Sequence, residues 1–217
     1  MNEAPKFEEY SYETLLEVYE GIDEMKFPDR KARVAELLEE RKGSGEAKVL
    51  FERNKYSTFG PRFVAAIIDG ICLLVIGFFF GIVVGIIPAW LVDITYYITS
   101  FGIIIYSVLL HGLYGQTIGK ALMSVKVVNH SDEGDITFKQ AFIRDCIPIA
   151  IWAATILAVM VAPVDTDGHL PVIVQYMLVF SGVFNIIWFL LEIVTTLLNE
   201  KRRAFHDYIA DTVVINI

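Results

Sequence analysis

Asp69 and Glu192 are each the only formal charge inside a long apolar run, residues 63–87 and 172–198. An ionised carboxylate at the centre of a membrane helix costs about 2.5–3.5 kcal/mol. Such a group therefore pairs with a cation, binds one, or holds a proton. At about 100° per residue, Ser181, Asn185, Trp188, Glu192, Thr196 and Asn199 fall on one helix face. Tyr96, Ser100, Ser107, His111 and Tyr114 do the same in residues 94–114. Arg62 and Asp69 share a stripe, with Asp69 about 10 Å further along the helix at ~1.5 Å per residue. The chemistry these residues could do is exchange of a proton or small cation. They would line a polar vestibule in which Asp69, His111 and Glu192 share one half of the bilayer. Glu192, with no basic residue near it in its own helix, is the better suited of the two acids. A purely structural network, Arg62 or Arg144 with Asp69, is the competing expectation.

Other chemistry is not written here. Gly115-Gln-Thr-Ile-Gly119-Lys120 resembles a phosphate loop, but three residues separate the glycines where GxxxxGK[ST] needs four. Ala121 also stands where the magnesium-binding hydroxyl belongs. HExxH, GxSxG and histidine clusters are absent from the sequence, so no enzyme, metal or cofactor is expected. Cys72 and Cys146 lack ligand spacing and are expected to be unpaired packing residues. A net charge of −8 disfavours a nucleic-acid partner.

The elements that must position these residues follow from hydropathy. Hydrophobic residues make up 55% of 217 and mean hydropathy is +0.53, more apolar surface than one soluble core buries. About 20 apolar helical residues cross a bilayer, and four stretches qualify: about 63–87, 94–114, 142–162 and 172–198. Residues 1–62 hold 11 of the 18 lysines and arginines, and the rest lie in 115–144 and 201–203. The short loops 88–93 and 163–170 have none. Basic residues favour the cytoplasmic side, so both termini, the loop 115–141 and the tail 199–217 are expected in the cytoplasm. Trp90, Tyr96 and Tyr97 would form an outer aromatic belt. The opening MNEAPKFEEYSYET has no basic region followed by an apolar one, so the first span is expected to direct insertion.

The fold class is thus all-α and membrane-embedded, with minor soluble parts. Residues 1–45 read as a cytoplasmic helical hairpin. Ser11 caps a helix with Leu15, Leu16, Tyr19 and Ile22 on its apolar face, and Pro28 begins a second with Val34, Leu37, Leu38 and Arg41. Gly43-Ser44-Gly45 reads as the start of a flexible link, 46–61. Thr137 with Gln140 forms a capping box into the third span. Residues 124–129 and 212–216 alternate as strands and are expected to pair. Set against each other, TIGKALMSVKVVN (117–129) and AFHDYIADTVVIN (204–216) match in their apolar positions. Asp69 in AIIDGI likewise matches Asp145 in FIRDCI, which suggests a parallel two-helix duplication. Gly77, Gly81 and Gly85, and Ala150, Ala154 and Ala158, recur every four residues. These stripes are expected to pack helices one and three, or the glycines to form a homodimer seam.

At YSTFGPRFVAAIID (56–69), GQTIGKALMSVKVV (115–128) and KRRAFHDYIADTVVI (201–215) the chain resembles the RDD family of bacterial membrane proteins. The resemblance maps the family's arginine to Arg62 and its first aspartate to Asp69. The second falls on Asp207, with Asp145 the rival. Gly60-Pro61 departs from the aromatic or basic residues common there, and Asp211 replaces the usual glycine. The resemblance implies an inner-membrane protein and transport of unidentified ligands, some members being similar to cation/proton antiporters. The expectation is a multi-pass inner-membrane transporter of a small cation, proton or other small solute, in contact with lipid and able to self-associate. The alternative is a membrane adaptor or assembly factor whose hairpin recruits a cytoplasmic protein.

Overall fold

Between Phe59 and Val84 the chain has one proline, Pro61, within a first helical turn where its missing N–H is harmless. It then runs as an uninterrupted helix to Val84. A computed structural model describes residues 5–86, 88, 102, 105–163, 165 and 169–217. The helices are α1 (Tyr12–Gly21), α2 (Pro28–Arg41), α3 (Gly45–Lys55), α4 (Phe59–Val84), α5 (Ile105–Tyr114), α6 (Ile118–Leu122), α7 (Phe138–Val161), α8 (Val172–Leu198) and α9 (Phe205–Ala210). The strands are β1 (Val125–Asn129) and β2 (Thr212–Asn216). The chain divides into two compact units, Met1–Lys55 and Tyr56–Ile217.

The first unit holds three helices where a hairpin was expected. Ser11 Oγ accepts the Thr14 N–H at 3.1 Å and starts α1, and Pro28 opens α2. Leu15, Val34 and Leu37 close over Phe7. Residues 46–61 are not a flexible link, because most of them belong to α3. Ser44 Oγ accepts the Ala47 N–H and acts as an N-cap, while Ala47 and Leu50 bury against Tyr12. Glu46 accepts the Tyr12 N–H at 3.0 Å. Ser44 between two glycines reads as a spacer until its hydroxyl is seen capping a helix.

In the second unit three described helices, α4, α7 and α8, are long and apolar enough to cross a membrane. Leu74 is 75% exposed and Phe78 67%, surface that water would penalise and hydrocarbon accepts. The expected second span, 94–114, is described only at 102 and over 105–114, as α5. Ser100, Trp90, Tyr96 and Tyr97 lie outside the described residues, as do most of 88–93 and part of 163–170. Among the described residues the glycine stripe does not join helices one and three. A Cβ built on Gly77 or Gly81 meets nothing within 4 Å, and at Gly85 it meets only carbonyls of its own helix. Ala150 and Ala154 are likewise exposed and Ala158 is partly buried. The main packing is α4 against α6, and α7 against α8 and α9.

Thr137 and Gln140 form the expected box at the start of α7. The two strands pair antiparallel, Val127 opposite Val214, with Val125, Val127, Val213 and Val214 fully buried. The register is symmetric about that central pair. Ile217 N–H donates to Ser124 O at 2.9 Å, and His130 N–H to Asp211 O at 3.1 Å. Ser124 (φ 53°) and Asp211 (φ 52°) turn the chain into each strand through the left-handed region. Gly115 (φ 68°) and Arg202 (φ 50°) do so before each short helix. The usual glycine at position 211 is thus explained by backbone conformation, and Asp is among the few residues that tolerate it.

Because these flanking bonds alternate along the ladder, Val127 and Val214 form a non-hydrogen-bonded pair, where Cα atoms lie about 4.5 Å apart. On a chain lacking Cys72 and Cys146, Val127→Cys with Val214→Cys is expected to oxidise to an intramolecular disulfide. Intact-mass counting of alkylatable thiols checks this; two free thiols after oxidation would contradict the register.

Candidate functional site

The polar residues of the second unit gather where the first turns of α4 and α7 meet α6, α9 and the C-terminal end of α8. At the centre is Asp207, on α9 and fully buried. Its Oδ2 lies 2.9 Å from Arg62 Nη1 on α4, and its Oδ1 lies 2.9 Å from Arg144 Nη2 on α7. Ala204 N–H donates to Oδ2 at 2.9 Å and Thr212 Oγ1 to Oδ1 at 3.2 Å. Two hydrogen-bond donors and two guanidiniums at ion-pair distance thus surround one carboxylate. Burial alone would push this carboxyl up. Arg144 and Arg62, helped by His206 and the Ala204 N–H, hold it well below the usual carboxylate range.

His206 joins this centre to Glu192. Its Nε2 is 2.6 Å from Arg144 Nη2, and since a guanidinium only donates, Nε2 accepts. Nδ1 therefore carries the hydrogen and lies 2.5 Å from Glu192 Oε2 as an ion pair, while the His206 backbone N–H donates to Oε1 at 3.3 Å. The side chains of this pair are 20% and 14% exposed. Burial, then Arg144, pushes the His206 imidazole below the usual histidine range against Asp207 and Glu192. Glu192, alone in its own helix, thus has its partner on α9.

Asp69 serves a different end of the cluster. Its Oδ1 accepts from Tyr106 Oη at 2.9 Å and from Gly119 N–H at 2.8 Å, and its Oδ2 accepts from Thr117 Oγ1 at 2.6 Å. It caps the five-residue α6 from the side, favoured by the partial positive charge of that N-terminus. Gly119 permits the approach, since a Cβ there would sit 2.2 Å from Ala65 O. Arg62 does not pair with Asp69. Its partners are Asp207, Arg202 O at 2.9 Å and His206.

A third group forms on α5. Ser107 Oγ donates to Asp145 Oδ2 at 2.6 Å. His111 Nδ1 lies 2.8 Å from Ser107 O and 3.3 Å from Ser107 Oγ, and its Nε2 lies 2.6 Å from Lys120 Nζ. Lys120 is partly buried, and burial pushes its amine well below the usual lysine range, with Arg144 and Arg62 adding to that against Asp207 and Asp145. Further along, Ser181 and Asn185 line a crevice of about 260 Å³ between α7 and α8 with Trp152, Thr155 and Ile156. Asn185 donates to Ser181 O at 2.7 Å.

Of the residues picked from sequence, the fold brings together Arg62, Glu192 and Asp207, and separately His111, Ser107 and Asp145. Sequence reasoning missed His206 and Lys120 as members of the site and Tyr106 and Thr117 as Asp69's partners. All four sit outside the longest apolar runs or pass as ordinary interfacial side chains. The signal available was the HD pair for His206 and the helix-start pattern Thr-Ile-Gly-Lys for Thr117. Among the described residues no group of three His, Cys, Asp or Glu is placed to hold a metal ion, and Cys72 and Cys146 are free.

Apolar helices with exposed flanks, closed at one end by buried ion pairs, define a multi-pass membrane protein. Residues 56–211 match the family model of the RDD family. The chain belongs to that membrane-associated family. No curated protein and no solved structure matches it.

Removing one partner of a buried ion pair typically costs about 3–5 kcal/mol, so Asp207→Asn is expected to lower the thermal midpoint in detergent sharply. The depressed His206 pKa makes the folded state bind fewer protons than the unfolded chain. Its stability contribution is therefore full above the ordinary histidine pKa of about 6.5 and lost as pH falls. The thermal midpoint is expected to drop between about pH 7 and pH 5, and His206→Gln to flatten that drop. An unchanged slope in His206→Gln would contradict the assignment.

Proposed function

We propose that this protein is a multi-pass inner-membrane transporter that exchanges a proton or small cation across its polar end, with both termini cytoplasmic. The observation that carries the reading is the Glu192–His206 pair. It joins two titratable groups, each partly shielded, to the Arg144–Asp207 centre. A structural ion pair is saturated and buried, as Asp207 is. Glu192 instead faces an imidazole, a group able to take up and return a proton, which is what exchange requires. Asp69, with both oxygens engaged by α5 and α6, serves in this reading to hold the vestibule's floor. The reading includes no enzymatic step and no cofactor, and lipid is its surroundings.

We also infer that the membrane domain is a parallel duplication, α4 to β1 repeated as α7 to β2. Supporting this are the symmetric strand register, the equivalent packing of α4 on α6 and of α7 on α9, and the left-handed residues at 115 and 202 and at 124 and 211. An axis along the membrane normal is common in transporters built this way. A second reading, an adaptor or assembly factor recruiting a cytoplasmic protein, draws support from the first unit. Its helices close their own core around Leu15, Val34 and Leu37. A homodimer through the exposed Gly77 and Gly81 face would widen a four-span pathway.

Proton or cation flux in vesicles reconstituted with the full chain tests the main reading. Glu192→Gln keeps the shape and is expected to leave insertion and yield intact while abolishing pH-dependent flux. Full flux in Glu192→Gln would overturn the exchange role. For orientation, single cysteines in 88–93 or 163–170 are expected to react with an impermeant reagent from outside intact cells, and one at position 130 to stay unlabelled. Labelling at 130 would reverse the topology.

A further inference from the structure

We propose that Lys120, His111, Ser107 and Asp145 form a proton-conducting chain that loads the Asp145 carboxylate, a route separate from the Glu192–His206 pair. The proposal rests on the exchange reading above and deepens it by naming a proton path.

The hydrogen-bond directions carry the inference. Ser107 O is a carbonyl and can only accept, so His111 Nδ1, 2.8 Å away, carries the ring hydrogen. His111 Nε2 is then the acceptor facing Lys120 Nζ at 2.6 Å. The same Nδ1–H leans on Ser107 Oγ at 3.3 Å, and that hydroxyl donates to Asp145 Oδ2 at 2.6 Å. Every donor thus points the same way, from amine to imidazole to hydroxyl to carboxylate. His111 is 4% exposed, so water does not replace the middle of the chain. Ser107 and His111, four residues apart, sit one above the other on α5. Packing alone would not require an imidazole flanked by an amine and a hydroxyl in series.

The step balances without any outside reagent. The Lys120 ammonium releases a proton to His111 Nε2. His111 Nδ1 releases its proton to Ser107 Oγ, and the Ser107 hydroxyl proton passes to Asp145 Oδ2. An ammonium and a carboxylate become an amine and a carboxylic acid, and ring rotation with hydroxyl reorientation resets the wire. Charged groups on every packed element set the balance. Arg62 of α4 and Arg144 of α7 disfavour the ammonium, Asp207 of α9 and Asp145 itself favour it, and Asp69 of α4 faces the backbone of α6 beside it.

The test is pH-jump difference infrared spectroscopy on the purified full chain, reading the carboxylic C=O band that Asp145→Asn removes. Ser107→Ala is expected to slow the appearance of that band by about tenfold or more, in the range of lost proton-transfer groups. Ser107→Thr, which keeps the hydroxyl, is expected to restore it, and His111→Gln to slow it as Ser107→Ala does. An unslowed Ser107→Ala overturns the proposal. So does a Ser107→Thr as slow as Ser107→Ala, or an intact chain in which Asp145→Asn removes no band. Should Ser107→Ala fail to accumulate, His111→Gln decides by the same criterion. Vesicle flux separates the two claims. A Ser107-dependent band in a chain without flux keeps the wire and sinks transport, whereas flux with a Ser107-independent band does the reverse.

Discussion

A carboxylate with no exposed surface, held between two guanidiniums from different helices, is the constraint on which the rest of this membrane domain depends. Taking an ion out of water costs several kcal/mol even after relaxation, and Asp207 is tolerated because Arg62 and Arg144 reach it at 2.9 Å. That requirement fixes three things at once. The first turns of α4 and α7 must converge, α9 must lie across them, and the tail must return far enough for the Thr212 hydroxyl to donate to the same carboxylate. Arg203 then ties α9 to β2 through Thr212 O and Asp207 O. The charge is a poor source of net stability but a strict source of geometry.

The same physics explains why short helices survive at this end. Helices of five and six residues are far below the length at which a helix is stable in water. α6 and α9 persist because each has an acid at its N-terminus, Asp69 delivered from α4 and Asp207 from within α9. Asp69 and Asp207 therefore act first as caps. Their neighbours Glu192, His206, His111 and Lys120 are the groups on which the proposed proton exchange rests.

Much of this architecture was legible in the sequence. The apolar runs at 63–87, 142–162 and 172–198 correspond to α4, α7 and α8, because hydropathy over 20 residues is a strong signal. The strands at 124–129 and 212–216 and the Thr137 box were legible too, as alternation and capping are local. Partner choice was not. Arg62 lies on the stripe of Asp69 yet pairs with Asp207, 145 residues away, and nothing in helical periodicity ranks those two acids. Glu192 looked isolated because only its own helix could be searched. Helix α3 was hidden by Ser44 between two glycines, where composition suggests a spacer and a single hydroxyl decides otherwise.

The paired strands also stand beside two joints in the chain. Their antiparallel ladder joins the segment after α5 to the tail after α8, and each short helix beside it is introduced by one left-handed residue. Those two are unequal. Gly115 adopts its left-handed conformation freely, and a Cβ there would stand 2.6 Å from Val127 O. Arg202 holds the same region at roughly 1–2 kcal/mol of backbone strain, and its carbonyl is gripped by Arg62. Both carbonyls are held, Gly115 O by the Val127 N–H at 2.8 Å and Arg202 O by Arg62 at 2.9 Å, so the joints differ in backbone strain and not in tethering. The two joints thus hold one backbone shape by different means, a glycine that no side chain can replace on the α5–α6 side and a strained arginine pinned by a guanidinium on the α8–α9 side.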